Sequence, residues 1–290
     1  MTQFKFEGIG TSWQIDIYQQ LSTTGESGLL SKIKNRIEIF DKTYSRFRDD
    51  SLIMKMSKQT GVFLLPADAE PMLSLYDDLY KKTNGLFTPL VGNILSDAGY
   101  DAKYSLKQKK ELQIAPGWDE VFEYKYPNLN IKKPVILDFG AGGKGYLVDL
   151  AAKVLEENGV FEYCIDAGGD ILHKNKTSIR VGLENPENTK EVIGVYTLQN
   201  GSICGSAGNR RAWGNFTHII NPKTLASPEN ILAVWVAAET ALLADALATC
   251  LFFVPAKTLA DAYKFEYMTV YSDRSIEKSP NFSSEVFVSP

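Results

Sequence analysis

Apolar and polar residues alternate with period two through the opening MTQFKFEGIGTSWQIDIY, on both sides of Gly8–Gly10. That alternation predicts two strands joined at the glycines. A helical period follows over Leu29–Phe40, Ala67–Lys82 and Tyr146–Asn158, the last stopped by Gly159. Thr240–Phe253 is apolar on nearly every side and predicts a buried helix, while Pro255–Phe265 starts with a proline suited to a first helical turn. Between Ser178 and Ala238 the pattern shortens. SIRVGLEN, EVIGVYTLQN, GSICGSA, FTHIINP and ILAVWVAA are β-branched runs punctuated by Gly, Asn and Pro. Strands in a row, with no helix between each pair, predict an α+β fold with a mostly antiparallel sheet and flanking helices. No repeat or linker-like boundary divides the 290 residues, so one compact domain over 1–290 is expected. The last stretch, SDRSIEKSPNFSSEVFVSP, is polar and turn-rich before a final apolar strand.

Composition narrows the partners. A net charge of −4 leaves no global basic field, which argues against nucleic acid as a partner. The basic run Lys107-Gln108-Lys109-Lys110 is short and reads as solvated loop. Cys164, Cys204 and Cys250 lie far apart in apolar or small-residue runs, as buried free thiols of a reducing compartment would. The N-terminus carries Lys5, Glu7 and Asp16 in place of a signal peptide's apolar stretch, and no run approaches the ~18 apolar residues of a spanning helix. A cytoplasmic protein without a membrane segment is expected; a leader already removed would leave no trace.

The stretch ILDFGAGGKGYLVDL, 136–150, has three chemical readings. A nucleoside-triphosphate loop, G-x-x-x-x-G-K-[ST], fails at both ends, because Asp138 stands at the first glycine and Gly145 at the hydroxyl. A dinucleotide fingerprint fits Gly140, Gly142 and Gly145, with an apolar strand over Val135–Phe139 before them, a helix after them and Asp166 ending the next strand. Against it, the unit lies mid-chain, and Asp138 would aim a carboxylate at the pyrophosphate. In the third reading the helix start binds an anion, Lys144 adds charge, and Asp138 accepts from a ligand hydroxyl or amine. A plain tight turn with an exposed lysine remains a fourth, structural option.

ALLADALATCLFFV places Asp245 and Thr249 four residues apart on one helix face. A buried carboxylate requires a partner or a cation, and oxygen-only donors suit Mg²⁺. The alternative is a partly exposed aspartate on an amphipathic helix. Of the two histidines, His218 in NFTHIINPKT reads as a strand residue, structural more often than catalytic, and His173 beside Lys174 is expected to be exposed.

Taken in order, GIGTSWQIDIY, YSRFRDDSLI, TNGLFTPLVG, LDFGAGGKGYLVD, CIDAGGDI, RVGLENP, HIINPKT and ADALATCLF resemble the ApbE-like family, the FAD:protein FMN transferases, over nearly the whole chain. The resemblance implies an α+β fold and an enzyme that splits FAD, releases AMP and attaches FMN to a threonine hydroxyl of a target flavoprotein; some members instead hydrolyse FAD. It implies FAD contacts from Ile9, Phe47, Leu86, Phe87, Thr88, Asp138, Lys144 and Thr217. It also implies Mg²⁺ held by the Ala141 carbonyl, Asp245 and Thr249, and His218 as the base, with an unperturbed imidazole near neutral pH. The chain departs from the family pattern where Asn221 and Thr88 replace aspartates, Gly142-Gly143 replaces Ile-Ala and Ile9 replaces the usual methionine. Ser206-Ala207-Gly208 differs slightly from the family's Thr-Ser-Gly turn. A nicotinamide oxidoreductase and a non-catalytic flavin-binding protein are the rival readings.

Overall fold

The computed structural model describes residues 1–109 and 111–287. Lys110 of the basic run and residues 288–290 of the final apolar stretch lie outside the described residues.

Strands β1 (Thr2–Gly8) and β2 (Thr11–Ile17) form the expected hairpin, with Gly8 opposite Thr11. Ile9 and Gly10 turn the chain with φ of 46° and 74°, the left-handed pair that a two-residue hairpin loop demands. Strands β3 (Gly61–Leu64), β4 (Phe122–Lys125) and β5 (Asn128–Ile131) make a small antiparallel sheet in the order β3-β5-β4. Then come β6 (Tyr163–Ala167), β7 (Ile171–Lys174), β8 (Ile179–Asn185), β9 (Asn188–Leu198), β10 (Gly201–Ala207), β11 (Ala212–Trp213), β12 (Phe216–Thr217), β13 (Ile231–Ala238), β14 (Glu266–Tyr271), β15 (Ile276–Lys278) and β16 (Ser284–Val286). The main sheet runs β1-β2-β6-β7-β10-β13-β14-β15, antiparallel at every pairing. A three-stranded sheet, β16-β9-β8, and the β11–β12 hairpin stand apart from it.

The helices are α1 (Thr23–Tyr44), α2 (Leu52–Met56), α3 (Ala69–Lys82), α4 (Gly92–Ala98), α5 (Trp118–Val121), α6 (Gly143–Glu157), α7 (Ala241–Cys250) and α8 (Lys257–Ala260). Alternation sorts the main sheet's two faces. Trp13, Ile15 and Ile17 of β2 enter one core with Ile33 of α1, Leu147 of α6 and Leu247 of α7. On the other face, Ile171, Ile203 and Trp235 pack under Leu183, Tyr196 and Leu198 of the small sheet. The central strand β13 is covered on both sides, which is why ILAVWVAA is apolar throughout.

Four expectations are corrected. Val135, Leu137 and Phe139 are buried in alternation, but the segment joins no sheet; its Asp138 N–H donates to the Pro89 carbonyl at 2.8 Å. The strand that a dinucleotide fingerprint needs is therefore missing. FTHIINP contributes only the two residues of β12, so His218 lies past the strand end. The Pro255–Phe265 helix shrinks to α8. His173, on β7, is fully buried; its Nε2 donates to the Thr177 carbonyl at 2.8 Å, while Lys174 takes the exposed side. The three cysteines are free and buried. Among the described residues no helix is long and apolar enough to cross a membrane.

Candidate functional site

A cavity of about 710 Å³ opens where the N-terminus of α6, the apolar helix α7 and the β11–β12 hairpin meet the main sheet. Phe47, Leu86, Phe87, Thr88, Asp138, Ala141, Lys144, His218, Asp245 and Thr249 all line it. Ile9 and Thr217 do not; their neighbours Gly10, Thr11 and His218 do. Thr217 instead fixes the hairpin's exit: its N–H donates to Ser227 Oγ at 2.8 Å and its hydroxyl accepts the Ile219 N–H at 3.1 Å.

The glycine-rich loop draws α6 against α7. Gly145 N–H donates to Asp245 Oδ2 at 2.9 Å, so the anion held by the first turn of α6 is a side chain of the protein itself. In return Asp149 of α6 caps α7, its carboxylate accepting the N–H groups of Ala241 at 2.9 Å and Leu242 at 2.8 Å. These reciprocal contacts set the height at which Asp245 and Thr249, one turn apart, face the cavity.

Charge is arranged around that frame. Asp138 is ion-paired with the buried guanidinium of Arg46 and accepts the Gly140 N–H at 2.7 Å. Lys144 is ion-paired with Asp170, whose other carboxylate oxygen is buried with no hydrogen-bond partner among the described residues. Burial opposes the charge on Lys144, but Asp170 and Asp245 outweigh it and hold the ammonium above its usual range. Asp245 is pushed up to about 7, first by burial and then by the charge of Asp170. His218 moves the other way, down to about 4, because of burial and then the positive charges of Arg211 and Lys144. The imidazole is therefore neutral at physiological pH but a weak base, contrary to the unperturbed value expected from sequence.

Among the described residues no three His, Cys, Asp or Glu side chains cluster as a metal centre. The donors at the cavity are of another kind: a carboxylate from Asp245 and a hydroxyl from Thr249, with Ala141 half-buried in the same lining. Oxygen-only donors beside a surplus of buried carboxylate fit a hard divalent cation better than a soft one.

The aromatic wall is built on Phe47. Its ring lies parallel to Tyr104 at 5.3 Å, and the Arg46 guanidinium sits 4.2 Å from its centroid. Sequence reasoning assigned no role to Arg46 or Asp170, although both lie inside quoted blocks, YSRFRDDSLI and CIDAGGDI. Neither stands out locally: Arg46 sits among Ser45, Arg48, Asp49 and Asp50, and Asp170 follows a pair of glycines.

The chain matches the ApbE family over residues 9–270. It is 22% identical to the FAD:protein FMN transferase of Escherichia coli (strain K12), covering 93% of this chain and 83% of that protein. It is 26% identical to the FAD:protein FMN transferase of Buchnera aphidicola subsp. Schizaphis graminum, covering 89% and 82%. Among solved structures, the flavin transferase ApbE from Vibrio cholerae superposes with a TM-score of 0.80 at 19% identity, covering 97% of each chain. The ApbE protein from Thermotoga maritima superposes with a TM-score of 0.83 at 21% identity, covering 98% of this chain and 99% of the other. The mixed helical and antiparallel architecture expected from sequence is thus the ApbE fold.

Proposed function

Because this chain belongs to the ApbE family, we propose that it transfers FMN from FAD to a threonine hydroxyl of a target flavoprotein, with AMP as the second product. The observation that carries the reading is the meeting, in one cavity, of the Asp245–Thr249 oxygen pair, the Lys144 ammonium and a neutral His218. In this reading residues 1–290 act as one transferase domain.

The threonine oxygen forms a bond to the phosphorus of the FMN half. The bond from that phosphorus to the bridging oxygen breaks, and its electron pair leaves on the AMP phosphate. The hydroxyl proton passes to His218. Such a transfer rests on positioning and charge neutralisation more than on covalent help. Ala141, Asp245 and Thr249 would hold Mg²⁺, which supplies Lewis-acid polarisation of phosphate oxygens. Lys144, fixed by Asp170, adds a charge at the same end of the cavity. Phe47, Leu86, Phe87 and Thr88 add an apolar and aromatic lining to the same cavity. Asp138, neutralised by Arg46, no longer opposes a phosphate as its charge alone would. A bound diphosphate would in turn offset the two cations that depress His218, returning basicity to the imidazole when substrate is present.

Incubation with FAD, Mg²⁺ and a threonine-bearing acceptor tests the reading. Mass spectrometry should find one added FMN, and chromatography an equal amount of AMP. AMP without modified acceptor makes the protein an FAD pyrophosphatase; FAD binding without AMP makes it a flavin carrier. Binding of NAD(H) without metal would restore the oxidoreductase reading.

A further inference from the structure

The chain has seven arginines. Six have a carboxylate within ion-pair distance: Arg36 with Asp68, Arg46 with Asp138, Arg48 with Asp50, Arg180 with Glu285, Arg210 with Glu184 and Arg274 with Glu187. Arg211 has none among the described residues. Its guanidinium donates instead to a neutral partner, Tyr100 Oη, at 2.7 Å, and lies 5.8 Å from the centroid of the same ring.

Position makes that exception chemical. Arg211 lines the cavity, and its carbonyl accepts the His218 N–H at 3.1 Å, which ties it to the backbone of the proposed base across the β11–β12 hairpin. The other cations lining the cavity are committed: Lys144 to Asp170, Arg180 to Glu285 and Arg210 to Glu184. A diphosphate brings two negative charges into a cavity already lined by the carboxylates of Asp138 and Asp245. The guanidinium fork, with most of its N–H donors unspent, matches phosphate oxygens in geometry and charge. Being solvent-exposed, it can leave the phenol for a phosphate without stranding a buried charge.

We propose that Arg211 is a substrate-binding residue that donates to the diphosphate of FAD from the hairpin carrying His218, a second cation besides Lys144. This rests on the FMN-transfer reading. Bound there, it would fix the diphosphate next to the base that receives the acceptor's proton and share the charge developing on the departing AMP oxygen.

Arg211→Gln and Arg211→Lys test it with three probes: FAD, ADP as a diphosphate without flavin, and riboflavin as a flavin without phosphate. In Arg211→Gln, affinity for ADP and kcat/KM for AMP release from FAD should each fall about tenfold or more, with riboflavin affinity unchanged. Arg211→Lys should fall between the two. Native ADP affinity in Arg211→Gln, or an equal loss for riboflavin, overturns the assignment while transfer by the wild-type protein stands. A wild-type protein that neither modifies an acceptor nor releases AMP removes the transfer reading itself, whatever the variants do.

Discussion

The backbone N–H of Gly145 donates to the carboxylate of Asp245 at 2.9 Å. The glycine-rich loop is therefore a helix–helix joint before it is a ligand cradle: a Cβ at position 145 would stand 2.1 Å from the Ala241 carbonyl oxygen and 2.7 Å from the Asp245 Cβ. What resembled the third glycine of a nucleotide fingerprint is the point where α6 and α7 touch.

Gly145→Ala should accordingly be costly even though alanine is the better helix former. Neither obstacle is a flexible side-chain tip, so α6 and α7 must part, at about 1–3 kcal/mol for overpacking. Chemical denaturation should show that loss, and the response to Mg²⁺ should weaken with it as Asp245 shifts. A variant with native stability would mean that the joint has slack the geometry does not suggest.

Asp149, the reciprocal cap, makes a prediction with a sign. Losing its two bonds to Ala241 and Leu242 in Asp149→Ala should cost about 1–2 kcal/mol. Burial lifts the Asp149 carboxyl to about 6, against the opposing pull of the Leu242 and Ala241 N–H groups. A raised folded-state value means that the folded protein binds the extra proton between about pH 4 and 6. The stability contributed by that proton is fully present below pH 4 and is lost as pH rises through 6. The stability advantage of wild type over Asp149→Ala should thus shrink from pH 4 to pH 7 in urea titrations. An advantage that grows over that range contradicts the burial argument.

These two contacts also mark where sequence stopped being informative. Period-two and helical patterns located the β1–β2 hairpin and helices α3, α6 and α7 because each buries one face or, for α7, nearly all of its surface. Val135–Phe139 has the same alternation yet joins no sheet, since a buried face does not by itself supply a backbone partner. His173 points inward where its charged neighbour had suggested exposure, because on a strand the exposed Lys174 turns residue 173 to the opposite face. In the cavity, the family blocks indicated Asp138, Lys144, Asp245 and Thr249. Their counter-charges did not show, because Arg46 and Asp138 are 92 positions apart, as are Asp149 and Ala241. Pairings at that separation exist only once the chain has folded.

His218 offers a kinetic test. With its proton affinity lowered to about 4 by burial and by Arg211 and Lys144, the free protein should already hold a neutral imidazole above pH 5. The acid limb of kcat/KM for FAD should then fall near pH 4, with no inflection near 6.5. The limb of kcat, which reports the substrate complex, should lie higher, because the diphosphate offsets the two cations. His218→Ala should keep FAD affinity and slow transfer by about 10²–10⁴-fold. Undiminished transfer, or a single limb near 6.5 in both profiles, would move the base elsewhere.

Asp245 tests the metal without reference to turnover. Its carboxylate is buried close enough to Asp170 for the two charges to oppose each other, and Lys144 is already ion-paired with Asp170. A cation at Asp245 and Thr249 would relieve that repulsion, so Mg²⁺ should stabilise the wild-type fold, by about 2.7 kcal/mol at a hundred times its Kd. Asp245→Asn keeps an oxygen to accept the Gly145 N–H and removes the charge. In EDTA it should melt at or above the wild-type temperature, and it should gain little from Mg²⁺. Thr249→Val, which deletes a neutral donor, should reduce the gain without raising the EDTA value. Scanning fluorimetry with and without Mg²⁺ separates these outcomes. An Asp245→Asn protein stabilised by Mg²⁺ as much as wild type would take Asp245 out of the metal set, leaving it as the acceptor that seats α6.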